Sequence, residues 1–200
     1  MTEARRRQQH ALDSMLHYIA FLRGINLGNR RIRIKMDALR ALFAELKFAD
    51  VATFIASGNV IFASKVADDR KLVQQIQAHL KKSLGYEVDT FVRTRAEVAA
   101  VAAFRPFSKA DLENSANTVH AGFLSEPLGA AQARQLVACR TAVDEFRVEG
   151  REYYWLCRIK SHESKVWASP QFKAVKMPSS SMRNLTTVRK IAAQFPATGA

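Results

Sequence analysis

Two one-sided apolar stripes, each flanked by short β-rich runs, constrain what this chain can fold into more than any other feature. Met36, Leu39, Leu42, Phe43 and Leu46 recur at helical spacing, and so do Leu72, Val73, Ile76, Leu80 and Leu84. A helix with one apolar face must bury it, and the runs over 18–22, 51–56, 60–63 and 86–93 have the length and residue types of strands. Helices covering a sheet are the expected result. Asp68 stands where a helix N-cap belongs and Gly85 where a C-cap belongs, so both ends of the second helix are marked. Thr94 and Glu97 form a capping-box pair, which predicts a further short helix over 95–104. The order to this point is β-α-β-β-α-β-α, and without the last helix it is the split-βαβ plan of ferredoxin-like domains.

Arg105-Pro106-Phe107-Ser108 and the polar run to Asn117 show no periodicity, so a domain boundary is expected there. The order of elements then recurs. A strand is predicted over 118–124, a helix over 127–139, two strands around Gly150, a helix over 162–172, an extended segment over 176–182 and a last helix over 184–195. The expected architecture is α+β: two tandem ferredoxin-like (βαββαβ) halves, 16–105 and 116–197, with antiparallel sheets covered by helices. Residues 1–15 include Arg5-Arg6-Arg7 and lack the apolar core of a secretory signal. They are expected to be a disordered extension, with Met15 as an alternative start.

The first strand empties into a basic, glycine-punctuated loop. Gly24 and Gly28 permit backbone conformations that other residues avoid, and a loop leading to a helix near Met36 can present N–H groups to an anion. Arg23, Arg30, Arg31, Arg33 and Lys35 supply charge around it. The alternative is a plain connection with turn glycines and solvated arginines, because two glycines four apart fall short of a full phosphate-loop fingerprint. Ser57-Gly58-Asn59 reads as a tight turn between two strands; the other reading makes Ser57 and Asn59 polar groups at the end of a sheet.

Charge is segregated. Of the net +13, residues 23–40 hold six basic side chains against one acidic, and 158–190 hold eight against one, so the remainder is nearly neutral. Such confinement suggests a surface for a polyanion or phosphorylated ligand, with solubility as the plain alternative. In the second segment Lys160-Ser161-His162-Glu163-Ser164-Lys165 lies where a helix should begin, and Arg183 and Asn184 precede the final helix in the same way. Phe146, Tyr153, Tyr154 and Trp155 sit in the predicted hairpin, where core packing accounts for them better than base stacking does.

Cys139 and Cys157 lie in apolar segments without ligand spacing and read as reduced thiols of a cytoplasmic protein. No run approaches the length of a membrane span. The five histidines lack zinc spacing, no paired-carboxylate motif is present, and neither metal nor cofactor is expected. His162 with Ser164 is the single nucleophile-and-base pair the sequence offers.

Leu22-Arg23-Gly24-Ile25-Asn26-Leu27-Gly28, then Met36-Asp37-Ala38-Leu39-Arg40, then Val51-Ala52-Thr53-Phe54-Ile55-Ala56-Ser57-Gly58-Asn59-Val60-Ile61-Phe62, resemble the signature of the bacterial DUF1697 family. Ser164-Lys165 and the stretch from Met182 through Arg183-Asn184 to Ile191 resemble that family's closing motif. The resemblance implies a fold and no reaction. The candidate ligand-binding residues are Arg23, Gly24, Asn26, Gly28, Lys35, Ser57 and Asn59 from the first motif, with Ser164, Lys165, Arg183 and Asn184 from the second. The expected function is binding of a nucleic acid or phosphorylated small molecule on a basic surface between the halves. The alternative is an enzyme that clamps an anionic substrate with Arg23, Lys165 and Arg183, and a third reading gives the basic face to a protein partner or to a dimer contact.

Overall fold

The computed structural model describes residues 15–26, 34–55 and 58–197. Gly28, Arg30, Arg31, Arg33, Ser57 and residues 1–14 of the N-terminal extension therefore lie outside the described residues.

In the first part of the chain, β1 (Leu16–Leu22), α1 (Met36–Glu45), β2 (Ala49–Phe54), β3 (Asn59–Ser64), α2 (Asp69–Leu84) and β4 (Thr90–Thr94) follow in the predicted order. The sheet order is β2-β3-β1-β4 with every neighbour antiparallel, which is the ferredoxin-like arrangement. Tyr18, Ala20 and Leu22 share one core with Val60 and Phe62 and with the stripes of the two helices, Leu39 and Phe43 of α1 and Leu72, Ile76 and Leu80 of α2. Phe62 is ringed by aromatics, with centroids 4.5 Å to Phe48, 5.6 Å to Tyr18 and 5.7 Å to Phe43. Each such side chain contributes roughly 1.5–3 kcal/mol by leaving water. Asp68 accepts from Arg70 N at 3.0 Å and Lys71 N at 3.2 Å, and Gly85 takes φ 80°, so both ends of α2 are closed as expected.

The β2–β3 connection differs from the predicted turn. Asn59 belongs to β3, opposite Phe54 and Phe21, and is fully buried. Its amide Nδ2 donates to Phe54 O at 3.0 Å. An asparagine can open a buried strand when its side-chain amide finds a main-chain partner, and no propensity scale reports that.

Contacts divide the chain between Ala96 and Glu97, and the second compact unit runs Glu97–Pro196. It contains most of α3 (Arg95–Ala103), then α4 (Lys109–Glu113), β5 (Thr118–Leu124), α5 (Ala130–Ala138), β6 (Asp144–Glu149), β7 (Glu152–Cys157), a 3-10 turn (Val166–Ala168), α6 (Pro170–Ala174), β8 (Ser180–Asn184) and α7 (Leu185–Gln194). The sheet order β6-β7-β5-β8, again antiparallel throughout, repeats the first topology. Helix α3 is tied into this unit: Arg151 Nη2 donates to Glu97 Oε1 at 2.6 Å and Arg189 Nε to Ala102 O at 3.2 Å. The aperiodic stretch after Arg105 is held by polar contacts. Ser108 Oγ accepts from Asp111 N at 3.1 Å, and Arg158 Nε donates to Asp111 Oδ1 at 3.0 Å. The Arg158 bond first, then the bond that Ser108 Oγ donates to Asp111 Oδ2 at 2.8 Å, hold the Asp111 carboxyl below its ordinary range.

The helix predicted over 162–172 is replaced by the 3-10 turn and the short α6. Pro170 is the reason. It has no N–H and disfavours a helical residue before it, so Ser169 turns extended (ψ 145°) and caps a new start by accepting from Phe172 N.

Gly122 of β5 stands opposite Tyr153 of β7, and the tyrosine ring lies across the place a side chain would occupy: a Cβ there would fall 2.1 Å from Tyr153 Cζ. The ring reaches over the strand to Ser180 Oγ, 3.0 Å from its hydroxyl. Gly122→Ala should therefore destabilise the protein by about 1–3 kcal/mol, as overpacking does. Chemical denaturation would check this, and Gly122→Ala combined with Tyr153→Leu should recover part of the loss.

Candidate functional site

The core leaves few places for chemistry. Both faces of β1 are buried: Tyr18, Ala20 and Leu22 on one, Ile19 and Phe21 on the other. Polar side chains gather where the strand ends. Arg23 N donates to Asp89 O at 2.8 Å, and Arg23 Nη1 donates to Asp89 Oδ2 at 3.2 Å, which ties the exit of β1 to the segment before β4. Gly24 follows with φ 70°, Ile25 dips into the core at 3% exposure, and Tyr86 Oη donates to Ile25 O at 2.8 Å.

Asn26 and Ile34 then meet, with Ile34 N donating to Asn26 Oδ1 at 3.1 Å. This bond joins the two ends of the β1–α1 connection across eight positions. Gly58 completes the base. Its carbonyl accepts from Leu22 N at 2.8 Å, its φ is 73°, and a Cβ would stand 2.9 Å from Ile25 Cγ2 and 3.1 Å from Leu22 Cβ. Asn26 and Asn59, both predicted as ligand contacts, are thus occupied by the backbone. Arg23 and Lys35 remain exposed at the surface, Arg23 in its ion pair and Lys35 immediately before α1.

In the second unit the motif residues are absorbed in a similar way. Asp144, 2% exposed, accepts from three neutral donors: Ser164 Oγ at 2.7 Å and Trp155 Nε1 at 2.9 Å on Oδ1, and Thr141 Oγ1 at 2.8 Å on Oδ2. Sequence reasoning passed over Asp144 and Thr141, since nothing in their spacing announces a buried carboxylate. Ser164 fixes its loop to β6 through this bond, and its hydroxyl proton is directed at a carboxylate, not at His162. The His162 ring is mostly exposed, 3.9 Å from Glu163. Lys165 is exposed. Asn184 Oδ1 accepts from Thr186 N at 2.8 Å and so caps α7. Arg183 Nη1 donates to Ser181 Oγ and Met182 O, both at 2.9 Å, and burial holds its guanidinium down to about 10.

His120 stacks on Trp155, ring centroids 4.9 Å apart, and burial pushes it down to about 4. Burial also raises the thiols of Cys139 and Cys157, which donate to Gln135 O and Ile159 O at 3.3 Å and stay protonated. Among the described residues no group of three or more His, Cys, Asp or Glu side chains could hold a metal ion, and no helix is long and apolar enough to cross a membrane.

Two tests follow from this site. Ser164→Ala should cost about 1 kcal/mol by removing one donor from Asp144, whereas Lys165→Ala should leave stability unchanged; urea titration distinguishes them. His120 is neutral when folded and has an ordinary value of 6.5 when unfolded, so the unfolded chain binds the proton more readily. Its contribution to stability should be complete above pH 6.5 and fall as pH drops towards about 4. The loss should be at most about 3 kcal/mol, and His120→Phe should flatten that part of the pH profile.

The model of a family described as a protein of unknown function (DUF1697) matches residues 15–154, a span that holds the whole pinned base and ends before Ser164. A solved structure of a conserved bacterial protein from Streptococcus pneumoniae is similar in fold, with TM-score 0.67 and 19% sequence identity over 90% of this chain and 98% of that one. No curated protein matches the sequence.

Proposed function

Because the chain belongs to the DUF1697 family, whose description assigns no reaction, we propose from its own residues that it binds a phosphorylated or nucleic-acid ligand at the connection leaving β1, with Arg23 and Lys35 as contacts. The observation that carries this reading is the hydrogen bond from Ile34 N to Asn26 Oδ1. It ties together the two ends of the connection and so constrains the backbone on which Arg23, in its ion pair with Asp89, and Lys35 stand. Preorganised cations bind an anion with less ordering cost. The excess of six basic residues over one acidic in 23–40 supports an anionic ligand rather than a neutral one.

A second reading, an enzyme acting on an anionic substrate, draws on Lys165 and Arg183. The half-buried Arg183, whose Nη1 already donates to Ser181 Oγ and Met182 O, favours it, since a partly desolvated cation attracts an anion more strongly than a solvated one. Against it, the described bonds give Ser164 and Asn184 to the fold.

A thermal-shift titration of the full chain with nucleotides, sugar phosphates and short oligonucleotides, at low and moderate salt, tests both. A ligand at a hundred times its dissociation constant should stabilise the protein by about 2.7 kcal/mol, or roughly 5–10 °C in Tm. Arg23→Ala with Lys35→Ala should remove most of that shift on the first reading, and Lys165→Ala should do so on the second. Steep loss with salt and dependence on oligonucleotide length would mark a nucleic acid. No shift with any of these ligands would sink both readings.

A further inference from the structure

In the second unit β6 is an edge strand, paired with β7 alone. Its phase is set at the start of the ladder, where Arg158 N donates to Val143 O at 2.8 Å. Antiparallel pairs alternate, so Glu145, Arg147 and Glu149 turn their main-chain groups to β7, and Asp144, Phe146 and Val148 turn theirs outward. The fold uses some of the outward groups itself. Thr141 takes both main-chain groups of Asp144 at 2.9 Å, and Arg147 Nη1 donates to Phe146 O at 3.0 Å. Phe146 N and both main-chain groups of Val148 are left facing out.

An open groove of about 660 Å³ lies between this edge and α5, lined by Ala133, Val137 and Val148 and by Arg134, Arg140 and Arg147. Its lining contains no acidic residue. Arg147 is paired with Glu145 at 2.6 Å, while Arg134 and Arg140 are exposed and make no ion pair among the described residues. A strand edge with open donors and acceptors, an apolar strip beside it and unpaired arginines along it together define a complementary shape: an extended chain with apolar side chains on one face and acidic ones on the other.

We propose that the β6 edge docks an extended acidic peptide segment of a partner protein, which adds a strand to the sheet and places its carboxylates on Arg134 and Arg140. A nucleic acid satisfies the arginines but makes no use of outward strand amides or the apolar strip, and small phosphates use still less.

The probe is a fluorescent peptide of alternating Glu and Val, about eight residues long, with an alternating Lys and Val peptide as control, titrated into the full chain by anisotropy. Val148→Pro removes an outward donor and leaves the β6–β7 ladder intact, because the N–H of residue 148 faces away from β7. It should weaken the acidic probe at least about tenfold, and Arg134→Glu with Arg140→Glu should do likewise without touching the strand. The proposal is overturned if the acidic probe does not saturate, if the lysine peptide binds equally well, or if the double charge reversal leaves affinity unchanged. Unchanged affinity in a folded Val148→Pro protein also overturns it. So does a dimer, seen by sedimentation, that the probe cannot enter and Val148→Pro dissociates, since the edge would then belong to a second copy.

Discussion

A central strand buried on both faces admits a polar atom only where a partner meets it, as Val66 O meets the Tyr18 hydroxyl at 2.9 Å, and leaves most polar side chains to its ends. Five consecutive residues of β1, Tyr18 to Leu22, are buried. The sheet on either side and the helices above depend on that strand, because β1 alone bonds to both β3 and β4. Arg23, Gly24 and Asn26 stand where they do because the continuous buried run of β1 ends at Leu22, after which Ile25 alone of the next four residues returns to the core. The position of the candidate site is therefore a consequence of core packing.

Buried polar atoms must be paired, and this requirement sorts the motif residues into two groups. Asn26, Asn59, Ser164 and Asn184 each satisfy a backbone or carboxylate group, and the loops would lose their shape without them. Arg23, Lys35 and Lys165 are exposed, Arg23 in its ion pair with Asp89. A motif that looks like one functional signature is thus partly a set of braces and partly a set of charges held by the braces. On the buried carboxylate of Asp144 three neutral donors converge, and no cation does so among the described contacts.

The stripes at Met36–Glu45 and Asp69–Leu84, the cap at Asp68, the glycine at Gly85 and the doubled order of elements were all legible, because each is a local rule of period or capping. The break at Pro170 was also written in the sequence, but the apolar residues around it at helical spacing masked it. Asn59 and Asp144 were not legible. What makes each of them fit is a partner, such as Phe54 O or Trp155 Nε1, supplied by a different strand.

The sequence by itself determined the two ferredoxin-like topologies, the ends of most helices and the concentration of positive charge, since periodicity, capping and composition act over a few residues. Only the tertiary structure decided which motif residues brace their own loops and which lie exposed at the surface, and that the edge of β6 lies beside an arginine-lined groove. Hydrogen-bond satisfaction and burial are properties of atoms brought together from distant positions, and no local pattern encodes them.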